Sequence, residues 1–291
     1  MSILKAIFLG IIQGITEFLP ISSSGHLSLF THFSGTSAGV AGLFSAMLHI
    51  GTLIAILITY YKPLYELFEE FFKVIKDIKN KNFSLKLKDM SEVRRMLFML
   101  VISCVPLLIL LVPIGNGRNI MDAVGVFSTD NSIKAEGICF MLTGFMLLLG
   151  EITAQRTKRN LKMTPVSAFF IGVAQFFAAC FPGVSRSGST ISTALICKVP
   201  RKKAVRYSFI LSVPAVLASG LVEFKDAMTG TEVVPVFPLL LGIIAATVVG
   251  IFAIRLINVV VQKNALKYFG FYCMVLGFIV TLIGAVEVFV K

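Results

Sequence analysis

Two polar residues at helical spacing interrupt the first apolar stretch of the chain. Gln13 and Glu17 are four residues apart, which places both side chains on one face of a helix. A charged side chain in apolar surroundings costs about 2.5–3.5 kcal/mol on insertion scales, so it normally faces a cavity or a partner. Glu17 therefore predicts a buried polar site, or an ion pair that serves packing alone.

A run of small polar residues follows Pro20. It contains Ser22, Ser23, Ser24 and Gly25. Proline disfavours a helical residue before it, and serine is favoured where a new helix begins. The free N–H groups of such a helix start bind anions, so this run predicts a phosphate-binding loop.

Three histidines occur in the chain. His26 directly follows the serine run, and its imidazole can transfer a proton near neutral pH. We interpret it as a candidate acid-base group, with a hydrogen-bonded structural histidine as the alternative. We interpret His32 and His49 as structural.

A second polar run begins at Ser185 and continues through Arg186, Ser187 and Gly188. Arg186 is the only lysine or arginine between positions 164 and 197. A guanidinium group at membrane depth needs an anion, and its planar fork fits phosphate oxygens. This run therefore predicts a second phosphate-binding loop, unless Arg186 only pairs with Glu17.

The composition places these polar runs in a membrane protein. Of the 291 residues, 56% are hydrophobic and 14% are charged, whereas soluble chains carry roughly 25% charged residues. The net charge of +12 comes mainly from short connections without the aromatic platforms of nucleic-acid grooves, so no nucleic-acid partner is expected. The five cysteines lie in or beside apolar runs without CxxC spacing, and neither a disulfide nor a metal role is expected.

The elements that position the polar runs can be predicted from apolar segment length. Six spans are expected, at 40–60, 96–115, 136–151, 205–223, 237–257 and 266–289. Two further regions, 3–34 and 164–197, are interrupted in mid-course and predict broken, re-entrant helices. The first region lacks the cleavage-site pattern of a removable signal peptide.

The distribution of lysine and arginine predicts the orientation of these elements. The connections 62–95, 152–163, 198–206 and 255–267 carry nine, four, five and three of these residues and should face the cytoplasm. The broken regions then enter from opposite sides, and shifting the chain by 162 residues aligns four distinctive identities between them: Gly10 with Gly172, Gln13 with Gln175, Pro20 with Pro182 and Ser23 with Ser185. Weak internal symmetry with broken helices is typical of inverted repeats around a central site.

The predicted fold is therefore an all-α polytopic membrane protein with two inverted-topology repeats. Residues 1–291 form one membrane domain, with the first repeat at about 1–155 and the second at about 156–291.

The segments QGITEFLPISSSGH, beginning at Gln13, and PGVSRSG, beginning at Pro182, resemble the two signature motifs of the bacterial undecaprenyl-diphosphate phosphatase family, also called the bacitracin-resistance family. The resemblance extends over essentially the whole chain. It implies hydrolysis of undecaprenyl diphosphate to the monophosphate carrier lipid of peptidoglycan synthesis. It also implies a bacterial plasma membrane location, a site open to the outer face, a homodimer, and bacitracin resistance on overexpression.

The resemblance also assigns roles. Glu17 matches an acidic motif residue, Ser23 the proposed nucleophile or phosphate contact, His26 the motif histidine and Arg186 the phosphate-binding arginine. A divalent cation, Mg²⁺ or Ca²⁺, is implied, with Glu17 and Gln13 as ligands. Because an amide binds a hard cation more weakly than a carboxylate does, a clamp of two carboxylates is not expected here.

Two other functions fit parts of the pattern. An inverted-repeat transporter or lipid flippase for an anionic substrate would show the same architecture. An acid-phosphatase-like lipid phosphatase would need a histidine downstream of the Ser185–Arg186 pair, and no histidine occurs after His49.

Overall fold

The computed structural model describes residues 2–35, 38–82, 84, 86, 89–115, 118–120, 133–156, 162–181, 183–229 and 235–290. In this part of the chain the helices are α1 (Ile3–Phe18), α2 (Ser23–Ser34), α3 (Ala38–Thr59), α4 (Tyr61–Lys79), α5 (Glu92–Cys104), α6 (Lys134–Arg156), α7 (Pro165–Cys180), α8 (Arg186–Ile196), α9 (Arg201–Thr229), α10 (Val236–Gln262) and α11 (Leu266–Val290). A 3₁₀ helix, Val105–Leu111, continues α5, and the short strands Pro113–Gly115 and Arg118–Asn119 pair antiparallel.

The all-α membrane architecture is confirmed. Four helical segments among the described residues are long and apolar enough to cross a membrane: Glu92–Leu111, Lys134–Arg156, Val236–Gln262 and Leu266–Val288. The number of candidate spans rises to five if the bent helix pair Phe44–Thr59 and Tyr61–Lys79 forms one span. The expected segment 136–151 extends to the 23 residues of α6, which is long enough for a hydrocarbon core of about 30 Å.

Both interrupted regions are broken helices, as predicted. α1 ends at Phe18, and Leu19 before Pro20 has an extended backbone (φ −69°, ψ 139°), as the residue before proline prefers. α2 then begins after Ser22, whose side chain accepts a hydrogen bond from the N–H of Gly25. The second break lies between α7 and α8, where Ser185 caps α8 in the same manner.

The two broken pairs correspond closely in length. α1 and α7 both have 16 residues, and Gln13 and Gln175 are buried at equivalent positions on them. The capping serines, Ser22 and Ser185, are 163 residues apart, so the second break holds one more residue than the pairing of Ser23 with Ser185 assumed. Pro182, 121–132 and 230–234 lie outside the described residues, and the opposed orientation of the halves stays a prediction.

Glycines allow the broken helices to pack closely on the long ones. α1 lies against α10, where a Cβ on Gly14 would meet the carbonyl oxygen of Ala246 at 2.7 Å and the nitrogen of Gly250 at 3.0 Å. α6 lies against the broken helix α8 through a similar contact, in which a Cβ on Gly150 would meet the Cα of Ser192 at 2.9 Å. Small residues at such interfaces let backbones approach, which is how helices associate where lipid removes the hydrophobic driving force.

Helix α4 has three distinct faces. Leu67, Glu70 and Val74 are buried, and Arg94 of α5 binds both Glu70 (2.5 Å) and Asp77 (2.7 Å). A second face exposes aromatic side chains: Tyr61, Tyr65, Phe68 and Phe72. The third face carries charges: Lys62, Glu66, Glu69, Lys73 and Lys76. Because α4 turns by 85° from α3, this pattern indicates an amphipathic helix that lies in the membrane interface.

The close contact at Gly14 can be tested by adding one methyl group. We expect Gly14→Ala to lower the free energy of unfolding by about 1–3 kcal/mol, because the backbone of α10 cannot move away without disturbing its packing. Gly220→Ala in α9 is the matched control, since a Cβ there meets nothing within 4 Å. Thermal unfolding in detergent measures both, and an unchanged midpoint for Gly14→Ala would contradict the packing described.

The interfacial position of α4 can be tested by fluorescence, because the chain has no tryptophan. We expect the emission of a Phe68→Trp variant in vesicles to be quenched most by lipids brominated close to the headgroup. Glu69→Trp, on the charged face, should instead be quenched by a water-soluble quencher. Strongest quenching of Phe68→Trp by lipids brominated near the bilayer centre would show that α4 crosses the membrane.

Candidate active site

Glu17 is the centre of the polar cluster. Its side chain is 4% exposed, and Arg186 of α8 donates to Oε1. Ser23 Oγ and Gln13 Nε2 both donate to Oε2, at 2.7 Å and 3.1 Å. These contacts bring together four residues that belong to two separate sequence motifs.

Arg186 is the first residue of α8 and is half-buried. Besides Glu17, its guanidinium group donates to the carbonyl oxygen of Ser212 on α9 at 3.3 Å. It lines a narrow crevice together with Glu17, Phe18, Ser187, Ser208, Phe209 and Ser212. Two phenylalanines supply apolar lining and three serines supply hydroxyl groups, a combination that suits a ligand with a charged head and an apolar tail.

The first loop contains a strained backbone conformation at Ser22 and is held by two hydrogen bonds. Ser22 has φ 72°, a conformation that costs a residue with a side chain about 1–3 kcal/mol and that concentrates at functional sites. Its hydroxyl accepts from the N–H of Gly25 at 3.1 Å. Ser24 Oγ accepts from the N–H of Gly183 at 3.2 Å, so the first loop is tied directly to the second.

The second loop is held by hydroxyl groups. Ser185 Oγ accepts from the N–H of Gly188 at 3.0 Å, and the Ser185 N–H donates to Thr143 Oγ1 of α6 at 3.0 Å. Ser187 Oγ donates to the carbonyl oxygen of Glu17 at 3.3 Å. The N-termini of α2 and α8 therefore meet at Glu17, and two converging helix N-termini beside an arginine favour a phosphate group.

His26 lies in the first turn of α2, and its hydrogen bonds are to groups other than Glu17. Its Nδ1 is 2.7 Å from the carbonyl oxygen of Ser22, and its Nε2 is 2.8 Å from the hydroxyl of Tyr272 on α11. Phe140 of α6 meets the imidazole edge-on, with ring centroids 5.1 Å apart. No local pattern pointed to Tyr272, because it lies in an apolar span 246 residues away.

The other two histidines have polar partners. His49, interpreted from sequence as structural, has Nε2 3.7 Å from Glu17 Oε2, so it is a further member of the cluster that sequence reasoning missed. Because His49 lies within the apolar helix α3, its sequence context did not indicate a contact with Glu17. His32 pairs with Glu287 of α11 at 2.9 Å, well separated along α2 from the serine loop.

The oxygen atoms around Glu17 fit a hard cation in type. Gln13 Oε1 is buried and has no hydrogen-bond partner, and it belongs to the side chain that touches Glu17. Among the described residues no group of three His, Cys, Asp or Glu side chains could hold a metal ion. A cation here would therefore depend on phosphate oxygens for much of its coordination, as Mg²⁺ commonly does.

Charge balance at Glu17 can be tested through stability. Arg186→Ala leaves a buried carboxylate without its counter-ion, and we expect the free energy of unfolding to fall by up to about 3–5 kcal/mol. Adding Glu17→Gln to Arg186→Ala should recover part of this loss, because the unpaired charge is then absent. Thermal unfolding in detergent distinguishes the outcomes, and equal midpoints for the single and double variants would contradict a charge-paired centre.

Comparison with known proteins agrees with the motifs. A family profile described as Bacitracin resistance protein BacA matches residues 6–279. Undecaprenyl-diphosphatase of Halothermothrix orenii is 36% identical over 98% of this chain and 100% of its own length. Undecaprenyl-diphosphatase of Methanosphaera stadtmanae is 34% identical over 98% of this chain and 99% of its own length. Undecaprenyl-diphosphatase 4 of Bacillus thuringiensis is 34% identical over 99% of this chain and 100% of its own length. With nearly its whole length matched, the chain belongs to the bacitracin resistance protein BacA family.

Proposed function

We propose that this protein is an undecaprenyl-diphosphate phosphatase. It hydrolyses undecaprenyl diphosphate to undecaprenyl phosphate and inorganic phosphate, which returns the carrier lipid to peptidoglycan synthesis and underlies bacitracin resistance. Family membership and the activity named for the full-length relatives support this assignment.

One contact carries the chemical argument. Ser23 Oγ donates to Glu17 Oε2 at 2.7 Å, while Arg186 binds the other oxygen of the same carboxylate. A hydroxyl on a carboxylate beside an arginine is the arrangement that an activated nucleophile needs next to a phosphate-binding group. A binding site for transport needs the arginine but has no use for the activated hydroxyl, so this contact favours the phosphatase over a transporter or flippase.

In the first step Ser23 Oγ attacks the terminal phosphorus. Glu17 takes the hydroxyl proton, the P–O bond to the bridging oxygen breaks, and undecaprenyl phosphate leaves. Arg186 and the loop N–H groups hold the charge that spreads over the phosphoryl oxygens. Ser22, Ser24, Ser185, Ser187 and Gly188 shape the two loops that bind those oxygens.

In the second step water attacks the phosphoserine. His26, one helical turn after Ser23, takes a proton from the water, and Glu17 returns its proton to Ser23 Oγ as the phosphorus–oxygen bond breaks. Inorganic phosphate then leaves, and His26 releases its proton. Atoms and charge balance over the two steps, and the serine is regenerated.

A divalent cation, Mg²⁺ or Ca²⁺, is part of this proposal, with Glu17 and Gln13 Oε1 as its protein ligands. When bound, it would neutralise charge on the diphosphate oxygens. The buried, unpartnered Oε1 of Gln13 supports this assignment.

The proposal also includes the place of the prenyl chain, the face of the membrane to which the site opens, and the assembly of the protein. The apolar side chains of Phe18 and Phe209 line the crevice beside Arg186 and contact the start of the prenyl chain, so the reaction takes place within the membrane. As the family resemblance implies, the site opens to the outer face of the cell membrane and the protein acts as a homodimer. The chain is one membrane domain built from repeats at about 1–155 and 156–291.

The activity can be tested by phosphate release from a prenyl diphosphate with purified protein in detergent. We expect cation-dependent release that falls by at least about 100-fold in Ser23→Ala and in Arg186→Ala, because each removes a group needed in the transition state. Gln13→Glu should lower the cation concentration needed for half-maximal rate, since a carboxylate binds a hard cation more tightly.

Thr31→Val is the matched control for Ser23→Ala, because it removes a hydroxyl from the same helix that donates to the carbonyl oxygen of Leu27 and lies outside both loops. We expect it to retain most of the activity. No release from folded wild-type protein would overturn the phosphatase assignment and favour a transporter. Near-normal release from Ser23→Ala would instead show that water attacks directly.

A further inference from the structure

His26 is held by groups from three elements. The carbonyl oxygen of Ser22 lies 2.7 Å from Nδ1, and the Tyr272 hydroxyl lies 2.8 Å from Nε2. The ring planes of His26 and Tyr272 are 7° apart, whereas Phe140 stands edge-on at 87°. Both ring nitrogens and the orientation of the imidazole are thus constrained.

The chemistry of these partners assigns the protons. A backbone carbonyl oxygen can only accept, so Nδ1 of His26 must carry a hydrogen. In the neutral imidazole Nε2 is then an acceptor, and the Tyr272 hydroxyl must donate to it. The strained backbone of Ser22 (φ 72°) aims the carbonyl oxygen that fixes this arrangement.

We propose that Tyr272 is a positioning residue for His26. Its hydroxyl occupies the lone pair of Nε2 in the resting site and keeps this nitrogen unprotonated. The attacking water displaces the hydroxyl, and Nε2 of His26 then accepts the proton of the water. This inference rests on the proposed function, in which His26 takes that proton from water.

The other charged and titratable groups on the described elements packed against His26 make no hydrogen bond to its Nε2. Glu136, one turn before Phe140 on α6, accepts from Ser28 Oγ at 2.8 Å. Glu17 of α1 is bound by Arg186, Ser23 and Gln13. Two thiols also lie on the packed helices, Cys139 on α6 and Cys273 on α11, and Cys273 Sγ is directed to the Pro20 carbonyl oxygen at 3.9 Å. The Tyr272 hydroxyl is therefore the side-chain group that acts directly on Nε2.

Tyr272 can be altered without opening the core. Its side chain is 44% exposed, and Tyr272→Phe keeps the ring while removing only the donor. Tyr268→Phe is the matched control, since Tyr268 lies one turn earlier on α11, is exposed, and has Lys267 over its ring.

The first test is the pH dependence of kcat/KM for phosphate release. A donor to Nε2 stabilises the neutral imidazole, so its removal favours the protonated form. We expect the acid limb of the Tyr272→Phe profile to move to higher pH, with kcat/KM about 3- to 10-fold below wild type on the acid side and near wild type on the alkaline side. Tyr268→Phe should follow the wild-type profile.

A double-variant cycle separates positioning from a structural role. If Tyr272 acts through His26, Tyr272→Phe should have no further effect on kcat in a His26→Gln background. A uniform loss at all pH values, or losses that multiply in the double variant, would overturn the inference.

NMR of the histidine rings tests this inference separately from the proposed function, because it does not require enzymatic activity. The chain has three histidines, so ¹⁵N-histidine labelling with a His26→Gln assignment control resolves the His26 ring signals. We expect the Nδ1–H form in wild type and in Tyr268→Phe, and a titration moved to higher pH in Tyr272→Phe. An Nε2–H form in wild type would overturn the inference, whereas an inactive protein with the expected signals would overturn only the proposed function.

Discussion

The buried ion pair between Glu17 and Arg186 is the constraint on which the rest of the site depends. A carboxylate that is 4% exposed inside an apolar protein is tolerated only with a counter-ion and further hydrogen bonds. Because Arg186 reaches Glu17 from the N-terminus of α8, the pair also fixes the two broken helices against each other. A substrate phosphate would meet this arginine already positioned, beside a carboxylate that also holds Ser23. The same ion pair therefore holds the broken helices together and, in the proposed mechanism, positions the groups that react with the phosphate.

Broken helices make this arrangement possible. An unbroken helix in a membrane satisfies its own backbone, so it offers no free N–H groups to a ligand. The breaks after α1 and α7 release such groups, and hydroxyls of Ser22, Ser24 and Ser185 bind some of them. The released backbone is covered by neighbouring helices, since α10 and α6 approach through glycine contacts too close for any side chain. Close packing outside the site is thus a condition for irregular backbone inside it.

The two broken regions are similar in backbone but differ in the side chains that they place at Glu17. Capping serines begin both second helices, yet the residue after the cap is Ser23 in one half and Arg186 in the other. Both of these side chains reach Glu17, for which the second half has Ala179 at the corresponding position of α7. Two similar breaks therefore present their helix starts to Glu17, while the first side chains of the two helices differ. In the proposed mechanism these side chains act as nucleophile and phosphate-binding group.

The membrane class, the broken helices and the motif residues could all be predicted from the amino-acid sequence, because they follow from local composition: apolar length, the backbone preference before proline, and serine at helix starts. Gln13, Glu17 and Arg186 could be grouped by residue type and spacing, since a charge in apolar surroundings needs a partner, whereas Ser23 was distinguished from the neighbouring serines only by the family motif. The partner that each group has depends instead on tertiary packing. His26 contacts Tyr272, His49 approaches Glu17 from the middle of a span, and the second break is one residue longer than the repeat pairing assumed. Contacts between residues on different helices depend on how whole helices pack, and no local pattern records that packing.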